Sequence, residues 1–149
     1  MQINEMKAEE CNTFLERVSV GRLACSFENQ PYVVPIHFAY EKGYIYVFST
    51  FGQKVKWMRA NPKVCIQADE VQNQSQWISV IVNGQSQELA LPQHTAERQH
   101  ATSLLAKRYQ WWLNAFGERQ AKVGDKAIEP LFFRIRIHSI SGLRATDEK

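Results

Sequence analysis

One feature limits the fold more than any other: a period of two that returns along most of the chain. Leu131, Phe133, Ile135 and Ile137 alternate with Phe132, Arg134, Arg136 and His138. The same alternation runs through Leu23, Cys25 and Phe27, through Tyr32, Val34, Ile36, Phe38 and Tyr40, through Val64, Ile66 and Ala68, and through Ile78, Val80 and Val82. Side chains two apart share one face of a strand, so each run predicts a strand with one buried side. Residues 44–48 are apolar on both faces and predict a strand covered on both sides. Glu28-Asn29-Gln30 and Glu41-Lys42-Gly43 read as tight turns, which join antiparallel neighbours. Gly84 lies inside the fifth run and predicts a bulge or sharp bend, with the strand continuing to Leu91 and Pro92.

Three segments break the pattern. Cys11, Phe14, Leu15 and Val18 fall on one helical face, and Gly21 ends that helix. A short helix starts near Gln53 and stops at Asn61-Pro62. Residues 93–109 read as helical, with Ala96, His100, Ala101, Leu104 and Leu105 on one side, and residues 142–149 read as a polar tail. The chain has 149 residues, enough for one domain spanning 1–149. The fold class is mainly β with α. Six antiparallel strands with a bend suggest a Greek-key or split barrel with flanking helices rather than a flat sheet.

Composition excludes several function classes. A hydrophobic share of 44% and a charged share of 22% rule out a disordered or low-complexity chain. A net charge of +3 is far from that of a protein that coats nucleic acid. Three cysteines (Cys11, Cys25, Cys65) without C-x-x-C spacing and four scattered histidines give no zinc signature. Reduced thiols, a polar N-terminus and no apolar run long enough for a span point to a cytoplasmic protein. Aromatic residues make up 11%. Phe27, Tyr32, Phe38, Tyr46 and Phe133 are expected to fill the barrel. Trp111, Trp112 and Phe116 are expected at a subunit interface or a cofactor wall.

Charge is less evenly spread than its total suggests. Between Glu41 and Asp69 stand Lys42, Lys54, Lys56, Arg59 and Lys63 with no acid among them. Within this stretch a strand ends in Ser49 and Thr50, and Gly52 leads into the helix carrying Lys54 and Lys56. A helix N-terminus offers unpaired N–H groups and positive potential, hydroxyls donate further bonds, and a lysine adds charge, so the unit suits a phosphate. The same spacing also suits hydroxyls that merely cap the helix. Pro31 and Pro35 sit inside an alternating run, where each removes a ladder donor; this strand either lies at an edge or turns its backbone toward a ligand. His37 is a lone strand histidine that fits the core or surface better than catalysis. Ser79, Ile81 and Asn83 share one face of the fifth strand, and no spacing supports a Ser-His-Asp or Cys-His arrangement.

Taken in order, these segments resemble the pyridoxamine 5′-phosphate oxidase-related, FMN-binding split-barrel family, and most closely its short, nitroimidazole-resistance-like members. The likeness rests on Gly21-Arg22-Leu23-Ala24, the run from Pro31 to Phe38, Ile45-Tyr46 leading to Ser49, Gly52 with Lys54, Arg59-Ala60-Asn61-Pro62-Lys63-Val64, and Ser79-Val80 with Gly84. The resemblance implies a homodimer with FMN in two interface clefts and a flavin-dependent oxidoreductase acting on a small molecule. It places Ser49, Thr50, Gln53 and Lys54 at the FMN phosphate, and Val33, Val34, Pro35 and Ile36 along the isoalloxazine. Ser79 and Trp77 approach the cofactor from farther along. Phe48 stands where short members often carry a histidine, and the tail has Arg144 but no tryptophan. Two other readings keep the fold or part of it: a flavin or haem carrier or sensor without turnover, and a barrel that binds single-stranded nucleic acid.

Overall fold

A computed structural model describes residues 1–108 and 130–147. In chain order the elements are β1 (Gln2–Glu5), α1 (Ala8–Arg17), β2 (Val20–Phe27), β3 (Gln30–Glu41), β4 (Tyr44–Ser49), α2 (Gln53–Ala60), β5 (Lys63–Asn73), β6 (Gln76–Glu88), α3 (Thr95–Arg108) and β7 (Leu131–Thr146). The turns act as their sequences require. Glu28 and Asn29 both take positive φ, at 49° and 65°, and Phe27 faces Gln30 across them. Two such residues are the pattern of a type I′ hairpin, whose twist matches that of the strands.

The sheet order is β1-β7-β4-β3-β2-β5-β6, and β6 pairs again with β7. Strands β2 to β7 therefore close into a six-stranded antiparallel ring. β2, β3 and β4 form a meander and β5 returns beside β2, which is the Greek-key path. The expected barrel is thus borne out. One strand was not expected: β1 pairs with β7 from Gln2↔Thr146 to Glu5↔Leu143. It is fully exposed and has no apolar alternation to reveal it.

Two glycines mark where strands crowd. Gly21 does not end α1 as its type suggested; it lies inside β2, where a Cβ would stand 2.7 Å from the Gln67 carbonyl oxygen. A Cβ on Gly84 would stand 2.4 Å from the Arg136 carbonyl oxygen and 2.9 Å from Ile135 Cγ2. The β6–β7 register shifts between Asn83 and Gly84, which is the expected irregularity. β6 ends at Glu88 rather than Leu91, and the polar residues 142–146 continue β7, because β6 and β1 pair with them from both sides.

The barrel interior is filled by Leu23, Phe38, Ile45, Val47, Ile66, Val80, Val82, Phe133 and Ile135. α1 adds Cys11, Phe14 and Leu15 to this core, and α2 adds Val55 and Met58. α3 packs on the outside of β3, β4 and β7 over a second cluster that includes Ala39, Tyr46, Phe48, Leu105 and Phe132. This corrects two aromatic assignments. Tyr46 is buried outside the barrel under α3, because its neighbours Ile45 and Val47 take the inward positions. Phe27 is 38% exposed at a hairpin tip, packed against Trp57. Trp111, Trp112 and Phe116 lie outside the described residues. Among the described residues all three cysteines are free, and no helix is long and apolar enough to cross a membrane.

Candidate functional site

The barrel opens along one side of β3. β3 pairs with β2 over its whole length, from Gln30↔Phe27 to His37↔Val20. It pairs with β4 only from Phe38↔Val47 to Glu41↔Tyr44. Beyond that point β4 stays with β7 as far as Ser49↔Leu131, so the two strands part. The Phe38 amide donates to the Ser19 carbonyl at 2.9 Å. Backbone groups alternate sides along a strand, so those of Tyr32, Val34 and Ile36 also point at β2. Those of Pro31, Val33 and Pro35 point at the parting. Each proline therefore lacks its N–H on the side where no described strand would accept it. Of the two explanations for prolines in a strand, the structure selects the open edge.

Where β4 leaves β3, the chain runs on through Ser49 into α2. Ser49 is 7% exposed, and its hydroxyl donates to the Thr50 carbonyl at 2.9 Å. Gly52, which has no side chain to cap with, stands at the N-cap of α2. The first helical bond runs from the Lys56 amide to the Gly52 carbonyl at 3.0 Å, so the amides of Gln53, Lys54 and Val55 have no acceptor within the helix.

Lys54 sits at the second position of this turn and is half-buried. Burial pulls its pKa down, and the nearby Cys25 thiol offsets this in part. Among the described residues no acid acts on it. Of the other cations in the stretch, Arg59 is taken: it bonds Glu88 at 2.6 Å and lies 5.6 Å from the Phe51 ring centre. Lys56 and Gln53 are exposed. Trp57, one turn along from Lys54, packs against Tyr32 and Phe27 with ring centres 5.5 and 6.0 Å away, and so fixes α2 on the β2–β3 hairpin. The Asn61 side-chain amide secures the far end of α2 by donating to the Ser26 carbonyl at 3.1 Å.

Trp77 and Ser79 are not part of this cradle. Val33 pairs with Ala24, Ala24 with Cys65, and Cys65 with Asn83; Ser79 is four residues before Asn83 on β6. That places Ser79 three strands across the outer face from β3. There it accepts from the Gln67 side-chain amide at 3.2 Å; the same amide donates to Asp69 at 2.9 Å, and Arg22 reaches Asp69 at 3.4 Å. Ser79 also borders a 450 Å³ cleft with Met6, Ile81 and Leu143, while Trp77 borders a separate 190 Å³ cleft with Glu70 and Arg144. Val33, Val34, Pro35 and Ile36 thus lie on the stretch of β3 that parts from β4, Ser49 at the end of β4, and Thr50, Gln53 and Lys54 in the loop and first turn of α2, while register sets Ser79 three strands away from β3. Sequence reasoning missed Cys25, Trp57 and the Arg22–Gln67–Asp69 network. The outward alternation of β2 and β5 was the available signal for the network.

Residues 31–37 and 49–56 contain no carboxylate. Burial pulls the His37 pKa down and pushes the Cys11, Cys25 and Cys65 thiols up, so all four favour their neutral forms. Among the described residues no group of three His, Cys, Asp or Glu could hold a metal ion.

The family model for pyridoxamine 5′-phosphate oxidase matches residues 7–144. The chain belongs to that family. An FAD-binding protein from Mesorhizobium loti has the same fold, with a TM-score of 0.79 and 40% identity over 99% of each chain. A Rhizobium meliloti protein of uncharacterised function is 45% identical over 113 residues, 75% of each chain. The FAD-binding protein from Mycobacterium smegmatis shares the fold at 22% identity and a TM-score of 0.65, over 96% of this chain and all of the other. The family and the split barrel expected from the ordered motifs are both borne out.

Proposed function

We propose that this member of the pyridoxamine 5′-phosphate oxidase family binds FMN in clefts between two copies of itself and serves as a flavin-dependent oxidoreductase on a small molecule. The observation that carries the reading is Lys54: a half-buried cation with no acid acting on it among the described residues, in the first turn of a helix that follows the parting of β3 from β4. The α2 amides, the Ser49 and Thr50 hydroxyls, Gln53 and Lys54 would hold the phosphate. The edge of β3 from Val33 to Ile36 would face the isoalloxazine through its backbone, the Val33 amide donating and the Val33 and Pro35 carbonyls accepting. FAD binding by the Mesorhizobium loti relative supports a flavin as the cofactor class.

A second copy explains the distance to Trp77 and Ser79. The outer face between β3 and β7 exposes Val33, Ile81 and Leu143 at 62%, 40% and 43%. Two such faces packed together would cover these apolar side chains and bring one copy's Ser79 and Trp77 toward the other copy's β3 edge. When bound, the flavin would supply the hydride or electron transfer. The chain's part is to anchor the phosphate, present the β3 backbone and exclude water.

The absorption spectrum of the purified protein tests the reading. A flavin spectrum, with one FMN per chain released by acid and identified chromatographically, is the expected result. Release of FAD would correct the cofactor but keep the class. A haem Soret band, or a colourless protein that takes up no FMN and retards single-stranded oligonucleotides, would overturn it.

A further inference from the structure

The outer face of β4, β7 and β6 carries a second basic site, on the opposite side of the sheet from the barrel core. Arg134 and Arg136 stand two apart on β7, so both point away from the buried Phe133 and Ile135. Register places Tyr46, Arg134 and Gln87 in one row across three strands, and Tyr44, Arg136 and Gln85 in the next. Lys63 pairs with Gln85 and extends the second row. These rows form a cleft of 360 Å³, lined by Tyr44, Gln85, Ser86, Gln87, Arg134 and Arg136.

Three details separate this cleft from an ordinary solvated face. Arg134 is held in place: its guanidinium carbon lies 4.7 Å from the Tyr44 ring centre, and its Nη2 donates to the Gln87 side-chain oxygen at 2.7 Å. Its Nε is buried without a hydrogen-bond partner, a costly arrangement for a charged donor group. The acids next to these rows in register are engaged elsewhere. Glu41 meets His100 at 2.9 Å, and Glu88 meets Arg59 at 2.6 Å. Among the described residues neither Arg134 nor Arg136 forms a salt bridge.

We propose that this cleft binds a small phosphate ester. Two guanidiniums that no described carboxylate pairs match the double charge of a phosphomonoester better than the single charge of a carboxylate, and a held guanidinium presents its N–H groups as a fork. A volume of 360 Å³ lies near the lower end of small-molecule sites, about 300–1,000 Å³, and leaves room for a group of sugar size beside the phosphate. Gln85, Ser86 and Gln87 offer that group both donors and acceptors. The site is separate from the cradle around Lys54 and does not depend on the flavin reading.

Calorimetric titration with ribose 5-phosphate, in saturating FMN so that any flavin cradle is filled, tests the proposal. Saturable binding at fixed ionic strength is expected, with none for ribose. Arg136→Gln, an exposed position, should weaken it at least tenfold and leave flavin content and melting temperature unchanged. Arg134→Lys should weaken it too, because a lysine retains the charge but not the fork. The proposal is overturned if ribose 5-phosphate does not bind at millimolar concentration, if ribose or sulfate binds equally well, or if binding survives Arg136→Gln. If Arg134→Lys does not fold, Arg136→Gln alone decides.

Discussion

Replacing Lys54 separates a phosphate anchor from a structural lysine. A charge-assisted hydrogen bond contributes about 1.5–3 kcal/mol net, which corresponds to roughly a 10- to 150-fold loss of FMN affinity in Lys54→Ala. Lys54→Met retains most of the buried stem and should lose as much, because the ammonium is what the phosphate needs. The free protein should respond in the opposite sense. Burial already disfavours the Lys54 charge, and no acid among the described residues repays it. The cofactor-free variants should therefore melt no lower than wild type. Lys54 is depressed in the folded protein relative to the unfolded chain. Between those two pKa values the unfolded chain holds more protons, so folding stability from this group rises with pH through that window. A bound phosphate favours the charged lysine, so binding takes up a proton and affinity falls as pH rises through the free protein's Lys54 pKa. Quenching of FMN fluorescence on titration into cofactor-free protein measures both effects. Lys56→Ala, an exposed neighbour on the same helix, serves as the control and should shift affinity less than threefold. Unchanged affinity in Lys54→Ala, or an equal loss in Lys56→Ala, would refute the phosphate assignment.

Ile81→Asp places a charge in the apolar outer face and should halve the mass measured by light scattering, with loss of bound flavin. Retention of both would argue against a cofactor held between copies. Gly84→Ala puts a methyl group 2.4 Å from the Arg136 carbonyl oxygen. Overpacking of this kind costs about 1–3 kcal/mol, which a urea melt will read as a lower midpoint at unchanged slope. Arg17→Ala removes an exposed ion pair with Glu70 and should cost less than about 1 kcal/mol, despite the short contact.

What the sequence disclosed follows the strength of its periodicity. Strands with one face in the core were readable because alternation is the direct trace of burial: Phe38, Val80 and Phe133 are all within 1% of full burial. β1 and the end of β7 were not readable. They are held by backbone pairing on exposed polar residues, and backbone pairing leaves no side-chain signature. Gly21 was read as a helix stop because a glycine after a helix and a glycine at a strand crossing look alike from within the chain; the Gln67 carbonyl that distinguishes them is 46 residues away. The phosphate cradle was readable because its parts are contiguous. Its separation from Ser79 depends on strand order, which a single sequence does not state.

The clearest signs of a site were places where local rules fail together. Proline does not belong in a paired strand, and a buried cation usually finds an acid. Pro35 stands in β3 with its missing N–H on the side from which β4 has parted, and Lys54 is half-buried with no acid acting on it among the described residues. Each exception alone has an ordinary explanation. Together they are what a site for an anionic, edge-bonding partner requires, and they support the reading independently of the family likeness.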